Sequence, residues 1–236
     1  MTTVESRTTL AINSVTNRKI RVNIVEDQAL FRDLLRTALG GYGQIEVVST
    51  AENGSDGIKN AYQYRPDAVI MDVDLGEGMT GIEAAQRIKS LRPEVGIVIL
   101  SSHRDKEYLQ SVAEGRGGGW SYLLKQNLQD TAALVRAIEG STWGLVTLDP
   151  TIIELLRPRS SSMLEKLTER QMLVLKNVTG GYRTNEIARR VQMDEGKVDV
   201  EVERICSELG IGEGNQNDLR AQAAMTFIKE TSTAQR

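Results

Sequence analysis

Residues 21–35 read RVNIVEDQALFRDLL, and the fold follows from how that stretch divides. A short apolar run, RVNIV (21–25), has the length and β-branched content of a strand buried on both faces. Two acids, Glu26 and Asp27, stop it, and ALFRDLLRTAL continues with helical periodicity. The unit then repeats. Strand candidates IEVVS (45–49), DAVIM (67–71), GIVIL (96–100) and WSYLL (120–124) alternate with helical stretches GSDGIKNAYQY, GIEAAQRIKSL, KEYLQSVAEG and LQDTAALVRAIEG. Apolar strands separated by crossover helices predict a five-stranded parallel sheet with helices on both faces, a doubly wound α/β fold of the flavodoxin-like type.

In an open parallel sheet, reactive groups gather at the C-terminal edge of the strands. Here each of four strands ends on a chemical group. Glu26 and Asp27 follow strand 1, Asp72 closes strand 3, Ser101 closes strand 4 and Lys125 closes strand 5. If strand 3 lies beside strand 1, three carboxylates meet within a few ångströms. Like charges that close need a cation, and hard oxygen ligands favour Mg²⁺. One carboxylate can then act as nucleophile toward a phosphoryl group, with Lys125 pairing its oxygens and Ser101 hydrogen-bonding the product.

VNIVEDQALFRDLL, AVIMDVDL, VILSSH and SYLLK together resemble the receiver domain of bacterial response regulators, over roughly residues 20–140. The resemblance implies that Asp72 is the phosphoacceptor. It implies that Glu26 and Asp27 hold Mg²⁺ together with Asp72 and the backbone carbonyl of Asp74. It makes Ser101 and Lys125 the couplers of phosphate to conformation, and Tyr122 a switching aromatic. Three departures stand out: DLGEGMTG lacks the usual Met-Pro loop after the phosphoacceptor, Gln126 replaces a frequent proline, and EGRGGGW (114–120) is unusually glycine-rich.

Other chemistry is poorly served. GEGMTG (76–81) matches a G-x-G-x-x-G dinucleotide fingerprint between a strand and a helix, but Asp72, Asp74 and Glu77 crowd it where pyrophosphate would sit. That disfavours a nucleotide-dependent enzyme, and the chain reads as a regulator. A single histidine, His103, excludes a histidine metal cluster, and a single Cys206 excludes an intramolecular disulfide. With 236 residues, 40% hydrophobic and 26% charged, the chain has material for two soluble domains. No run of about 18 apolar residues is present to span a membrane. Residues 1–19 read as a flexible tail without a secretion signal, and the expected location is the cytoplasm.

Residues 140–163 break the rhythm with prolines and serines and read as a linker carrying a short helical patch, IIELL. From 164 to 236, four short helical patterns follow. LTERQMLVL, TNEIARR and the terminal LGI resemble a LuxR-type helix-turn-helix domain of the NarL/FixJ kind. That resemblance implies DNA as a partner, with the segment DEGKVDVEVERI (194–205) entering the major groove. Val198, Val202, Ile205 and Leu209 recur at helical spacing and form its buried face. Arg183, Arg189, Arg190, Lys197, Val200 and Arg204 are the candidate DNA contacts. The net charge of −3 supplies no global attraction to nucleic acid, and residues 194–209 hold six acids against two bases. Asp199, Glu201 and Glu203 stand where the family commonly presents basic or histidine side chains. Two functions therefore stay open. One is a transcription factor phosphorylated by a sensor histidine kinase and dimerising on phosphorylation. The other is a receiver whose acidic helical domain binds protein instead of DNA.

Overall fold

A computed structural model describes residues 18–103, 118–128 and 131–232. Residues 1–17 of the tail expected at 1–19, and the helix expected for KEYLQSVAEG, lie outside the described residues.

Strands β1 (Ile20–Val25), β2 (Ile45–Ala51), β3 (Ala68–Asp72), β4 (Gly96–Ser101) and β5 (Trp120–Leu124) alternate with helices α1 (Ala29–Gly40), α2 (Gly54–Tyr64), α3 (Gly81–Leu91) and α4 (Thr131–Thr142). All pairings are parallel, in the order β2-β1-β3-β4-β5-β6. The doubly wound architecture is as expected, but among the described residues the sheet has six strands rather than five. The sixth, β6 (Thr147–Leu148), pairs with β5 through Ser121↔Thr147 and Tyr122↔Leu148. Two residues are too few to register as a periodic pattern, which is why this strand escapes a reading of the sequence.

Asp149 fastens that edge. Its backbone N–H donates to the Tyr122 carbonyl (2.8 Å), and its carboxylate accepts from the Leu124 N–H (3.1 Å) and the Asn127 amide (2.8 Å). It also caps α5 (Pro150–Leu155), where proline at the first position suits a helix start. Residues 140–163 thus hold an edge strand and a helix whose Ile152 and Ile153 are buried.

Both sheet faces are covered. Ile24, Ile70, Val98 and Leu100 pack with Leu35 and Leu39 of α1 and Leu134 and Ile138 of α4. Val25, Val69, Met71, Ile97 and Ile99 pack with Ala61 of α2 and Ala84 and Ile88 of α3. Continuous apolar strands are what two-sided burial demands.

Four helices follow: α6 (Glu169–Thr179), α7 (Thr184–Arg190), α8 (Glu195–Glu208) and α9 (Gln216–Ser232). A capping box between Thr168 and Gln171 starts α6. Val198, Val202, Ile205 and Leu209 are buried, as the spacing predicts, along with Cys206. The turn after α6 rests on the β6 edge of the sheet. Gly181 has φ +70°, and a Cβ there would lie 2.5 Å from Thr147 Oγ1, so only glycine permits this approach. Beside it, Arg183 pairs with Glu139 of α4 at 2.5 Å, and Tyr182 lies between the guanidinium groups of Arg136 (5.3 Å) and Arg190 (3.7 Å).

Candidate functional site

Register brings the acids together. Val25 pairs with Met71, so Glu26 and Asp72 leave neighbouring strands at the same level. The carboxylates of Glu26, Asp27 and Asp72 offer oxygens that all lie within 4.8 Å of one another. Asp27 does not cap α1, whose N-cap is Gln28 without a side-chain bond, so its carboxylate is left to the cluster. Gly81, opening α3, allows the helix to sit against the site. A Cβ there would lie 1.7 Å from the Asp72 carbonyl oxygen. In GEGMTG, then, Gly81 serves close backbone packing on Asp72.

Lys125 reaches back across β4. Its Nζ lies 2.8 Å from Glu26 Oε2 and 2.9 Å from Asp72 Oδ2, and it donates to Glu26 Oε1 at 3.1 Å. The Phe31 ring of α1 covers the same ammonium at 4.8 Å. Glu26 and Asp72 are almost fully buried. Burial pushes Glu26 up to about 7, with the Asp72 charge adding to the rise and Lys125 opposing it. Burial also raises Asp72, against Lys125 and the Asp74 backbone N–H. For Lys125 burial acts to lower the pKa, but its close contacts with Glu26 and Asp72 and their charges outweigh it, and the net shift is upward.

The arrangement suits a hard divalent cation. Glu26 Oε2 and Asp72 Oδ2 are buried and, although within ion-pair distance of Lys125, accept no hydrogen bond of good geometry. Buried oxygens in that condition are costly without a further positive partner. An all-oxygen donor set matches Mg²⁺. Asp74 sits in the loop beyond β3 with its carboxylate 3.7 Å from the exposed His103 ring.

Ser101 is also buried at this edge, yet its hydroxyl is turned to the chain ahead, donating to the His103 carbonyl and accepting from the His103 N–H, both at 3.0 Å. The Tyr122 hydroxyl donates to the same carbonyl at 2.7 Å. Ser101 and Tyr122 thus share one backbone group.

The residues singled out for DNA divide into two sets. Lys197, Val200 and Arg204 lie exposed along the outer face of α8. Arg183 is engaged by Glu139, Arg190 by the Tyr182 ring, and Arg189 Nε donates to the Asn185 carbonyl of its own helix at 3.3 Å. The acids are not the free outward row that charge counting suggests. Asp199 pairs with Arg220 of α9 at 3.0 Å, Glu203 accepts from Gln216 at 2.7 Å, and Glu201 pairs with Arg204 at 3.2 Å. Arg220 and Gln216 were invisible as partners because α9 meets α8 only in three dimensions. Arg32 was also missed: its Nη1 donates to the Glu26 carbonyl at 2.5 Å and the Asp27 carbonyl at 3.3 Å.

A family model described as the response regulator receiver domain matches residues 22–139. The chain is 34% identical over 221 residues to the transcriptional regulatory protein YxjL of Bacillus subtilis, covering 89% of this chain and 96% of that protein. It is 28% identical over 236 residues to the transcriptional regulatory protein DegU of Brevibacillus brevis, covering 91% and 95%. A solved structure of two RcsB dimers bound to two parallel DNAs superposes with a TM-score of 0.52 at 19% identity, covering 88% of this chain and 99% of that one. At that identity the likeness speaks for the fold.

Proposed function

The chain belongs to the response regulator receiver family, and on that premise we propose that Asp72 accepts a phosphoryl group from the phosphohistidine of a sensor kinase. An Asp72 carboxylate oxygen attacks phosphorus, the P–N bond breaks, and its electron pair stays on the imidazole of the donor. Glu26, Asp27 and Asp72, with the Asp74 carbonyl, hold Mg²⁺, which when bound neutralises charge developing on the phosphoryl oxygens. Lys125 exchanges its carboxylate partners for a phosphoryl oxygen. Ser101 turns its hydroxyl from the His103 backbone toward another. That movement withdraws one of the two groups holding the His103 carbonyl and loosens the grip of Tyr122 on it. Tyr122 is bonded through its own carbonyl to Asp149, at the edge where the helical unit rests. The change therefore has a short covalent and hydrogen-bonded route to that unit, and it prepares pairing with a second copy of the chain.

The observation that carries this reading is the reach of Lys125 to two buried carboxylates with unsatisfied oxygens. Incubation with acetyl phosphate and Mg²⁺ should add one phosphoryl mass to the protein, and Asp72→Asn should lower incorporation at least about 100-fold, as expected for loss of the nucleophile. Equal labelling of Asp72→Asn and wild type would remove Asp72 from its role.

The region from residue 164 controls transcription through DNA. Its relatives are transcriptional regulators. The pairing of Asp199 with Arg220 and of Glu201 with Arg204 offsets part of the negative charge of α8 while Lys197 and Val200 stay exposed, which favours DNA over a protein partner. Release of the helical unit from Glu139 frees Arg183 for phosphate. Retention of discrete genomic DNA fragments, with a salt slope reduced by about one in Lys197→Ala, is the expected result. No retention at any salt would turn the helical unit into a protein-binding module.

A further inference from the structure

Arg32, in the first turn of α1, grips backbone where the acidic cluster is built. Its guanidinium Nη1 donates to the carbonyl oxygens of Glu26 (2.5 Å) and Asp27 (3.3 Å), the first two of the three residues joining β1 to α1. Its Nη2 donates to Glu52 at 2.8 Å, in the loop following β2. The Arg32 side chain is only 12% exposed, while Glu52 is 73% exposed. Its own backbone N–H is bonded to the Gln28 carbonyl, so the base of the side chain is fixed by the helix.

From this geometry we infer that Arg32 is a positioning residue for the cation site: by holding the Glu26 and Asp27 carbonyls it sets the aim of their carboxylates toward Asp72. The inference rests on the proposed role of the cluster as a Mg²⁺-dependent phosphoryl acceptor. Two consecutive carboxylates converge on one point only if the peptide units carrying them are prevented from rotating. Across this short crossing the Glu26 side chain adds one further restraint, accepting from the Gln28 N–H at 3.3 Å. The guanidinium fork spans both carbonyls and Glu52 at once, a geometry that one ammonium does not reproduce. In addition to the ammonium of Lys125, it brings a second positive charge to the backbone that carries two of the three crowded carboxylates. Partners of this outer kind fix ligand orientation, and their loss lowers metal affinity about 10–100-fold.

The test is Mg²⁺ binding by titration calorimetry on the full chain, beside the Mg²⁺ dependence of phosphoryl incorporation from acetyl phosphate. Arg32→Gln should raise the Mg²⁺ concentration at half-saturation about tenfold, while incorporation at saturating Mg²⁺ approaches wild type. Arg32→Lys should recover part of the affinity, and Glu52→Gln should change it no more than about twofold, because the carbonyl contacts remain. Thermal unfolding without Mg²⁺ checks that each variant is folded, and the lysine variant carries the test if the glutamine variant is not. Unchanged Mg²⁺ affinity in Arg32→Gln, lost maximal incorporation with affinity intact, or a lysine variant no better than glutamine would each overturn the inference. A wild-type protein that binds no Mg²⁺ and takes no phosphoryl group would instead remove the reading of the cluster, and the role of Arg32 with it.

Discussion

Two regions of this molecule are rich in carboxylates, and they handle the charge in opposite ways. At the sheet edge, Glu26, Asp27 and Asp72 converge, two of them buried, with one lysine among them and oxygens left unsatisfied. On α8, Asp199, Glu201 and Glu203 are spread along a helix, and each has found its own partner. Concentrated, buried and under-compensated charge stores a demand for a cation, whereas spread charge that is paired with arginine, as at Asp199 and Glu201, or exposed and hydrogen-bonded to a neutral amide, as at Glu203, stores none. Acid content alone therefore says little about function. What matters is whether the fold supplies the counter-charge.

The strongest way to break the contrast is to remove Lys125. Lys125→Met leaves two buried carboxylates facing each other, and metal-free protein should lose about 3–5 kcal/mol in urea unfolding above pH 7. The pH dependence has a definite sign. Glu26 is raised from 4.5 to about 7, so its protonated form is favoured in the native state. The stability it contributes is fully present below its unfolded value and is lost as pH rises through about 7. Without Lys125 that loss should continue to higher pH. A variant as stable as wild type at pH 8 would show the lysine to be a bystander.

A smaller effect sharpens the same point. Because Mg²⁺ must displace the proton held by Glu26, its apparent affinity should fall about tenfold per pH unit below 7 and level off above it. Calorimetry in buffers of different ionisation heat should detect proton release at pH 6 and little at pH 8.5. Proton release identical at both values would contradict the raised Glu26. On α8 the expected changes are smaller still. Asp199→Ala strands the Arg220 guanidinium, which keeps the Thr184 hydroxyl, and should cost about 1 kcal/mol. Glu203→Gln should stay within about 0.5 kcal/mol. Equal costs at the two positions would mean that α9 does not discriminate between them.

These contrasts also explain what could be read in the sequence. Asp72, Glu26 and Lys125 were legible because strand ends share one edge of the sheet: once strand 3 is placed beside strand 1, the meeting of the carboxylates follows. Tyr122 was singled out only through the receiver resemblance, since within a strand it reads equally as sheet packing. The pairing of Asp199 with Arg220 was not legible, because helix surfaces meet at angles set by side-chain packing, which periodicity does not encode. Arg32 escaped for another reason. Its partners are backbone carbonyls, and a carbonyl leaves no letter in a sequence. β6 escaped because Thr147 and Leu148 are only two residues long.

That small strand bears on how the molecule can be taken apart. The family match ends at residue 139, but the sheet continues to Leu148. A receiver severed at residue 139 would lose the last turn of α4 and its outermost strand, and the backbone of β5 beside Tyr122 would become an open hydrogen-bonding edge. Edges of that kind recruit other strands. Such a fragment is an adhesive one, prone to pair with copies of itself through β5, and any association it displays would mimic dimerisation while reporting only an uncovered edge.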